Sequence, residues 1–250
     1  TDWWNYGGIT RPVKILELNS TYIADYFVEF GNARGNTISG WIELAGDEAG
    51  DYGSVRLGLP GLQIDKELAF DENGRTEFEF TASPVLWTPD TPKLYELRLS
   101  YIGSVINDRI GFRTISVEDD NIILNGESVF LRGISLHEES PKGDGRAWSE
   151  EDARILLTWD RELGCNFVRL AHYPHNETLV RMADEMGLLV WSEIPVYWTI
   201  LFEREDVYAK AEKQLTEMIS RDRNRASVIL WSVANETPSH QPRFEFLSRL

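Results

Sequence analysis

Residues 227–238 read S-V-I-L-W-S-V-A-N-E-T-P. Apolar side chains dominate positions 228–233, the pattern of a short strand buried on both faces of a parallel sheet. The run stops at Ala234, Asn235 and Glu236. A carboxylate beside an amide at the C-terminal tip of such a strand stands where a β/α barrel carries its chemistry. Glu236 is therefore the first candidate for a catalytic proton donor. An Asn-Glu pair after a strand can also cap a helix, so the neighbouring strand ends decide between the readings.

Three earlier segments repeat the pattern. Residues 131–140 (L-R-G-I-S-L-H-E-E-S), 166–174 (N-F-V-R-L-A-H-Y-P) and 188–195 (L-L-V-W-S-E-I-P) each run from apolar into polar residues. Helical stretches separate them. Ser149 with three acids behind it predicts a helix start, running to about Leu163 and closed by Gly164. Asn176 predicts a cap for a helix with Leu179, Met182, Ala183 and Met186 on one face, closed by Gly187. A third helix is expected from about Asp206 to Arg221, burying Tyr208, Ala211, Leu215, Met218 and Ile219. This β-α-β-α-β-α-β order implies parallel strands. A full barrel needs eight strands and about 250 residues of its own. The sheet is then either open and complete or half of a barrel; residues 243–250 read as the start of the next helix, which favours half a barrel.

The first half of the chain has period two instead. Strands are expected around Tyr26–Phe30, Ile38–Leu44, Val55–Leu59, Thr76–Phe80, Tyr95–Tyr101 and Ile110–Ile115. Turn signals lie at Gly31-Asn32, Gly46-Asp47, Pro60-Gly61, Asn73-Gly74 and Thr88-Pro89-Asp90. About seven strands in about 105 residues predict an antiparallel β-sandwich. The acidic stretch Glu118-Asp119-Asp120 is a candidate boundary, followed by a hairpin with Asn125-Gly126 at its turn.

Composition bounds the function. The 250 residues carry a net charge of −16, which argues against nucleic acid and anionic membranes as partners. Hydrophobic residues make up 42%, and nine are Trp, so the chain is not a disordered one. The tryptophans are expected mostly in core or rim packing. With Cys165 as the only cysteine, no intrachain disulfide can form. No apolar run approaches the ~20 residues of a membrane span. The first residues, T-D-W-W-N-Y, lack the basic start and apolar stretch of a signal peptide.

Metal chemistry finds little support. His172 and His175 are separated by Tyr173-Pro174, which is no zinc helix, and there is no Cys pair or H-E-x-x-H. Phosphate loops and nucleophile elbows are also missing. The acid run from Asp144 to Asp152 reads as a solvated loop leading into a helix. What remains is a rim holding His137, Glu138, Arg169, His172, Tyr173, Glu193, Asn235 and Glu236. Arg169 could equally be an ion-pair partner of Glu138 or Glu193.

Together these segments resemble glycoside hydrolase family 2, the family of β-galactosidases and β-glucuronidases. The stretch D-W-W-N-Y-G-G-I-T-R at residues 2–11 is similar to the end of the family's sugar-binding jelly roll. V-L-W-T-P at 85–89, L-Y-E-L at 94–97 and G-F-R at 111–113 are similar to its immunoglobulin-like domain and the strand that leads into the barrel. The segments 166–174 and 221–236 resemble its two barrel signatures. The implied division is a jelly-roll tail at 1–12, a sandwich at 13–117, and the first half of a (β/α)8 TIM barrel at 118–250.

The resemblance implies a retaining exo-β-glycosidase for terminal β-D-galactosides or β-D-glucuronides. Glu236 would be the general acid/base and Asn235 would hold the sugar 2-hydroxyl. His137 and His172 would line the sugar subsite, while Arg169 and Glu193 would frame the acid/base and the pocket floor. The family's nucleophile is a Glu on a later strand, and no residue here matches it, so the isolated chain is expected to be inactive. Ser192-Glu193 stands where the family often has Asp-Glu, and Thr237 intervenes between Glu236 and Pro238. The magnesium pattern of large bacterial β-galactosidases is not evident after Glu193, so no cofactor or metal is expected. A carbohydrate substrate, homo-oligomers of a longer protein, and a soluble bacterial address, cytoplasmic or periplasmic, complete the expectation. The competing readings are a non-catalytic carbohydrate-binding or assembly module and another barrel glycosidase, such as a β-mannosidase.

Overall fold

The computed structural model describes residues 4, 6–31, 36–46, 52–143 and 145–250. The expected turns at Gly31-Asn32 and Gly46-Asp47, parts of the 2–11 stretch, and Asp144 lie outside the described residues. The chain divides into two compact units, Lys14–Phe130 on the one hand and Thr1–Val13 with Leu131–Leu250 on the other.

The first unit is an antiparallel sandwich. Its strands are β1 (Thr21–Phe30), β2 (Thr37–Gly46), β3 (Ser54–Leu59), β4 (Ile64–Ala69), β5 (Arg75–Thr81), β6 (Tyr95–Tyr101) and β7 (Ser104–Ile110). One sheet has the order β1-β2-β5 and the other β4-β3-β6-β7. Alternation drives the packing: Ile38 and Ile42 of β2, Leu57 and Leu59 of β3, and Leu97 and Leu99 of β6 are buried in one core. Gly40 is required, because a Cβ there would meet the Phe27 carbonyl oxygen at 1.9 Å.

Two strands differ from expectation. β4, I-D-K-E-L-A, was not legible because it is a sheet edge paired only with β3, and only Ile64 and Leu68 of its six residues pack on the core, with three charged residues between them. The last sandwich strand is β7, joined to β6 across Ile102-Gly103, and not the expected 110–115 segment. Phe112 is nevertheless buried, from a non-strand segment. Further on, β8 (Ile115–Glu118), β9 (Asn121–Leu124) and β10 (Glu127–Val129) form a small antiparallel sheet. The acidic stretch is the β8–β9 turn, with Asp119 at φ 51°.

The second unit holds four parallel strands in the order β11 (Gly133–Leu136), β12 (Phe167–Leu170), β13 (Leu189–Glu193) and β14 (Val228–Ser232). Between and after them come α1 (Glu150–Glu162), α2 (Glu177–Met186), α3 (Glu205–Asp222) and α4 (Gln241–Arg249). Ser149 and Asp152 form a capping box on α1. Asn176 accepts from Thr178 N–H at the start of α2, and Gly187 closes it in the left-handed conformation, φ 72°. The apolar faces of α1 and α2, including Leu157, Leu179 and Ala183, pack on Val168, Leu170, Val190 and Val228. α3 buries Tyr208, Ala211, Leu215 and Met218 beside Phe202 and Phe246, with Ile219 only partly covered.

β14 is not buried along its whole length. Val228 and Ser232 are, but Ile229, Leu230 and Trp231 are half-buried, because β14 is an edge of the four-stranded sheet and pairs only with β13. α4 starts at Gln241, earlier than Arg243, with His240 accepting from Arg243 N–H as its cap. Among the described tryptophans Trp87 is fully buried, Trp41, Trp191 and Trp231 are partly buried, and Trp4, Trp148, Trp159 and Trp198 are exposed.

Asp160 is a buried carboxylate near the end of α1. Neither oxygen meets a nitrogen or oxygen donor among the described residues. Burial pushes its carboxyl from 3.8 up to about 6, against the opposing pull of the Cys165 thiol and Arg161. The folded state therefore holds this proton more tightly than the unfolded chain does. Stability from this group is fully present below about pH 4 and is lost as pH rises to about 6. Asp160→Asn is expected to be more stable than the parent at pH 7.5, by on the order of 2 kcal/mol, and equal to it near pH 4. Urea unfolding at both pH values checks this; an unchanged midpoint at pH 7.5 contradicts it.

Candidate active site

The C-terminal ends of β11 to β14 lie along one edge of the parallel sheet, where β/α proteins bind ligands. The register sets Ser135 beside Arg169, Arg169 beside Trp191, and Glu193 beside Ser232. The ladder between β13 and β14 continues past both strands. Asn235 N–H donates to Val196 O at 2.8 Å, and Trp198 N–H donates to Asn235 O at 3.1 Å.

Arg169 is the hub of this edge. Its Nη2 donates to Glu193 Oε2 at 2.7 Å and to Asn235 Oδ1 at 2.6 Å. Its Nε reaches Glu193 Oε2 at 3.1 Å, and its guanidinium carbon lies 4.8 Å from the centre of the Trp191 ring. Glu193 is completely buried and also meets His172 Nδ1, at 2.6 Å through Oε1. A buried carboxylate of this kind needs both partners to offset its desolvation. Of the two partners considered for Arg169, the structure selects Glu193.

The arrangement orients Asn235. With Oδ1 bound to Arg169, the amide presents Nδ2, a buried donor with no partner among the described residues. Buried donors are rarely left unsatisfied, so a ligand acceptor is the natural complement. Glu236 follows, at φ 50°, a backbone region that L-residues seldom occupy and that is frequent at functional sites. Trp198 Nε1–H donates to Glu236 Oε2 at 2.7 Å. Aromatic rings continue the rim: Trp198 stacks on Tyr197 (5.0 Å), Tyr197 on His172 (5.3 Å), and His172 meets His137 edge-on (5.3 Å).

All six candidates, His137, Arg169, His172, Glu193, Asn235 and Glu236, thus gather at one edge. Glu138 and His175 do other work. Glu138 is fully buried and pairs with Arg11 (2.7 Å) and Arg146 (3.4 Å), and it accepts from Asn176 N–H. Arg11 also donates to Pro174 O, which ties the N-terminal segment to the β12–α2 loop. His175 is buried, and Nε2–H donates to Ala171 O at 2.8 Å; burial drives its imidazole down to about 3, so it is neutral. Sequence reasoning missed Tyr197 in this rim and the roles of Arg11 and Arg146. No local signal marks Arg11, because its carboxylate partner is 127 residues away. Among the described residues, no group of three or more His, Cys, Asp and Glu side chains is placed to hold a metal ion. No helix among them is long and apolar enough to cross a membrane.

An immunoglobulin-like sandwich followed by β/α units, with a polar rim at the strand ends, is the architecture of a barrel glycoside hydrolase. Residues 115–249 match the model of the glycosyl hydrolases family 2 TIM barrel domain, and residues 21–113 match the glycosyl hydrolases family 2 model. The chain belongs to glycosyl hydrolases family 2. It is 36% identical over 276 residues to a β-galactosidase of Thermoanaerobacterium thermosulfurigenes, covering 100% of this chain and 37% of that protein. It is 30% identical over 261 residues to a β-glucuronidase of Paenibacillus borealis, covering 96% and 42%. The solved apo structure of Bacteroides uniformis β-glucuronidase 3 superposes with a TM-score of 0.78 at 29% identity, covering 92% of this chain and 31% of that one. The chain therefore spans less than half the length of these relatives.

Proposed function

We propose that this chain is the central part of a retaining exo-β-glycosidase acting on terminal β-D-galactosides or β-D-glucuronides. Glu236 is its general acid/base, and the nucleophilic carboxylate lies on a segment outside these residues. The observation that carries this reading is the Asn235–Glu236 pair at the strand end, in which the buried Asn235 Nδ2 has no partner among the described residues and the neighbouring Glu236 carboxylate is held by Trp198. The names of the relatives, β-galactosidase and β-glucuronidase, supply the two sugar classes.

In the first step the nucleophile attacks the anomeric carbon, the C1–O bond breaks, and the Glu236 proton goes to the departing oxygen. In the second, Glu236 takes a proton from water, whose oxygen attacks the same carbon and frees the nucleophile. Asn235 Nδ2 donates to the sugar 2-hydroxyl, an interaction that strengthens as the oxocarbenium ion develops. Arg169 and Glu193 hold Asn235 in place from the pocket floor, and His137 and His172 line the sugar subsite.

The same reading divides the chain into a jelly-roll tail (1–12), a sandwich (13–117) and the first half of the barrel (118–250). The net charge of −16 supports a carbohydrate partner over nucleic acid. The longer protein is a soluble bacterial homo-oligomer of the cytoplasm or periplasm, and the reaction needs no metal.

A panel of p-nitrophenyl β-glycosides tests the assignment. The full-length protein is expected to turn over the galactoside or the glucuronide, and the 250-residue chain alone neither. Turnover by the isolated chain, abolished in Glu236→Gln, would overturn the external nucleophile. Sugar binding without turnover by the full-length protein would favour a non-catalytic module.

A further inference from the structure

Trp198 sits in the loop after β13 with its side chain half exposed and one ring face stacked on Tyr197. Its backbone is held against Asn235. Trp198 N–H is bound to Asn235 O, and Tyr197 and Asn235 form a parallel bridge. Both Trp198 and Glu236 adopt left-handed backbone conformations, φ 51° and 50°. Conformations of this kind persist where the surroundings over-determine them. Their shared outcome is one side-chain hydrogen bond, from indole Nε1–H to Glu236 Oε2 at 2.7 Å. The stack of Trp198 on Tyr197, and of Tyr197 on His172, fixes the plane of the indole.

We propose that Trp198 is a positioning residue for the acid/base: its indole N–H occupies Glu236 Oε2 and leaves Oε1 to carry the proton and face the glycosidic oxygen. The proposal rests on Glu236 being the acid/base. Indole nitrogen is a donor only, so it can bind a carboxyl oxygen but cannot take the proton itself. A carboxyl held by one oxygen loses its freedom to rotate, and proton transfer depends on such alignment.

The test is Trp198→Phe in the full-length protein, which keeps an aromatic ring and removes the N–H. We expect kcat/KM for an alkyl β-glycoside, whose leaving group needs a proton, to fall by about tenfold or more. For a 2,4-dinitrophenyl β-glycoside, which leaves unprotonated, it should change by less than about threefold. Trp198→His retains a ring N–H and should recover part of the loss. Equal losses on both substrates, or none on either, overturn the proposal. Glu236→Gln measured beside it separates the two claims. If that variant fails to discriminate between the substrates, the acid/base assignment falls; if it discriminates and Trp198→Phe does not, only the role of Trp198 falls.

Discussion

Glu236→Gln in the full-length protein should lower kcat/KM for alkyl and sugar leaving groups by roughly 10²- to 10⁴-fold. The same change should cost far less for a 2,4-dinitrophenyl β-glycoside. Glutamine keeps the size and polarity of the side chain but has no proton to give, so bond cleavage must proceed without leaving-group protonation. An alkoxide leaves poorly and a dinitrophenolate leaves well, which is why the loss divides between them. The hydrolytic half-reaction also slows, since no base remains to activate water, and the glycosyl-enzyme should accumulate as a burst of phenolate. Steady-state kinetics with both substrates measure the contrast. Equal losses would remove Glu236 from the role.

Glu193→Gln should destabilise the second unit by about 3 kcal/mol, a value typical of breaking a buried pair by removing one partner. Glu193 is fully buried and accepts from Arg169 and His172, so the variant leaves the guanidinium without a counter-charge. Arg169 also holds Asn235 Oδ1, and its displacement would carry into the substrate rim. A second change tests the cause. Arg169→Met added to Glu193→Gln removes the orphaned charge, and the double variant should be more stable than Glu193→Gln alone. Urea unfolding followed by tryptophan fluorescence gives both values. A loss below about 0.5 kcal/mol for the single variant, in the range of an exposed pair, would contradict the account.

The parallel half of the fold was legible because each of its signals is local. Ser149 and Asn176 start their helices and Gly187 ends α2, each within one helical turn and as read. The site candidates were legible for a related reason: a buried strand that ends in polar residues on a β/α sheet has one edge to present them on. β4 was hidden because only Ile64 and Leu68 of its six residues face the core, with three charged residues between them. Arg11 and Arg146 were hidden because their shared partner, Glu138, is found only by folding. The bond between Trp198 and Glu236 was invisible for a third reason. It depends on two backbone conformations that residue type does not favour, and on a loop that extends a ladder past its strands.

The most direct test of the central claim is the anomeric configuration of the product when azide rescues Glu236→Ala. If Glu236 is the acid/base, its removal opens the β face of the glycosyl-enzyme, and azide attacks there without proton assistance. The expected product with an activated aryl glycoside is the β-glycosyl azide, formed with rate increasing in azide. An α-glycosyl azide would make Glu236 the nucleophile, and no azide adduct at all would mean that Glu236 flanks neither face of the scissile bond; either result contradicts the account.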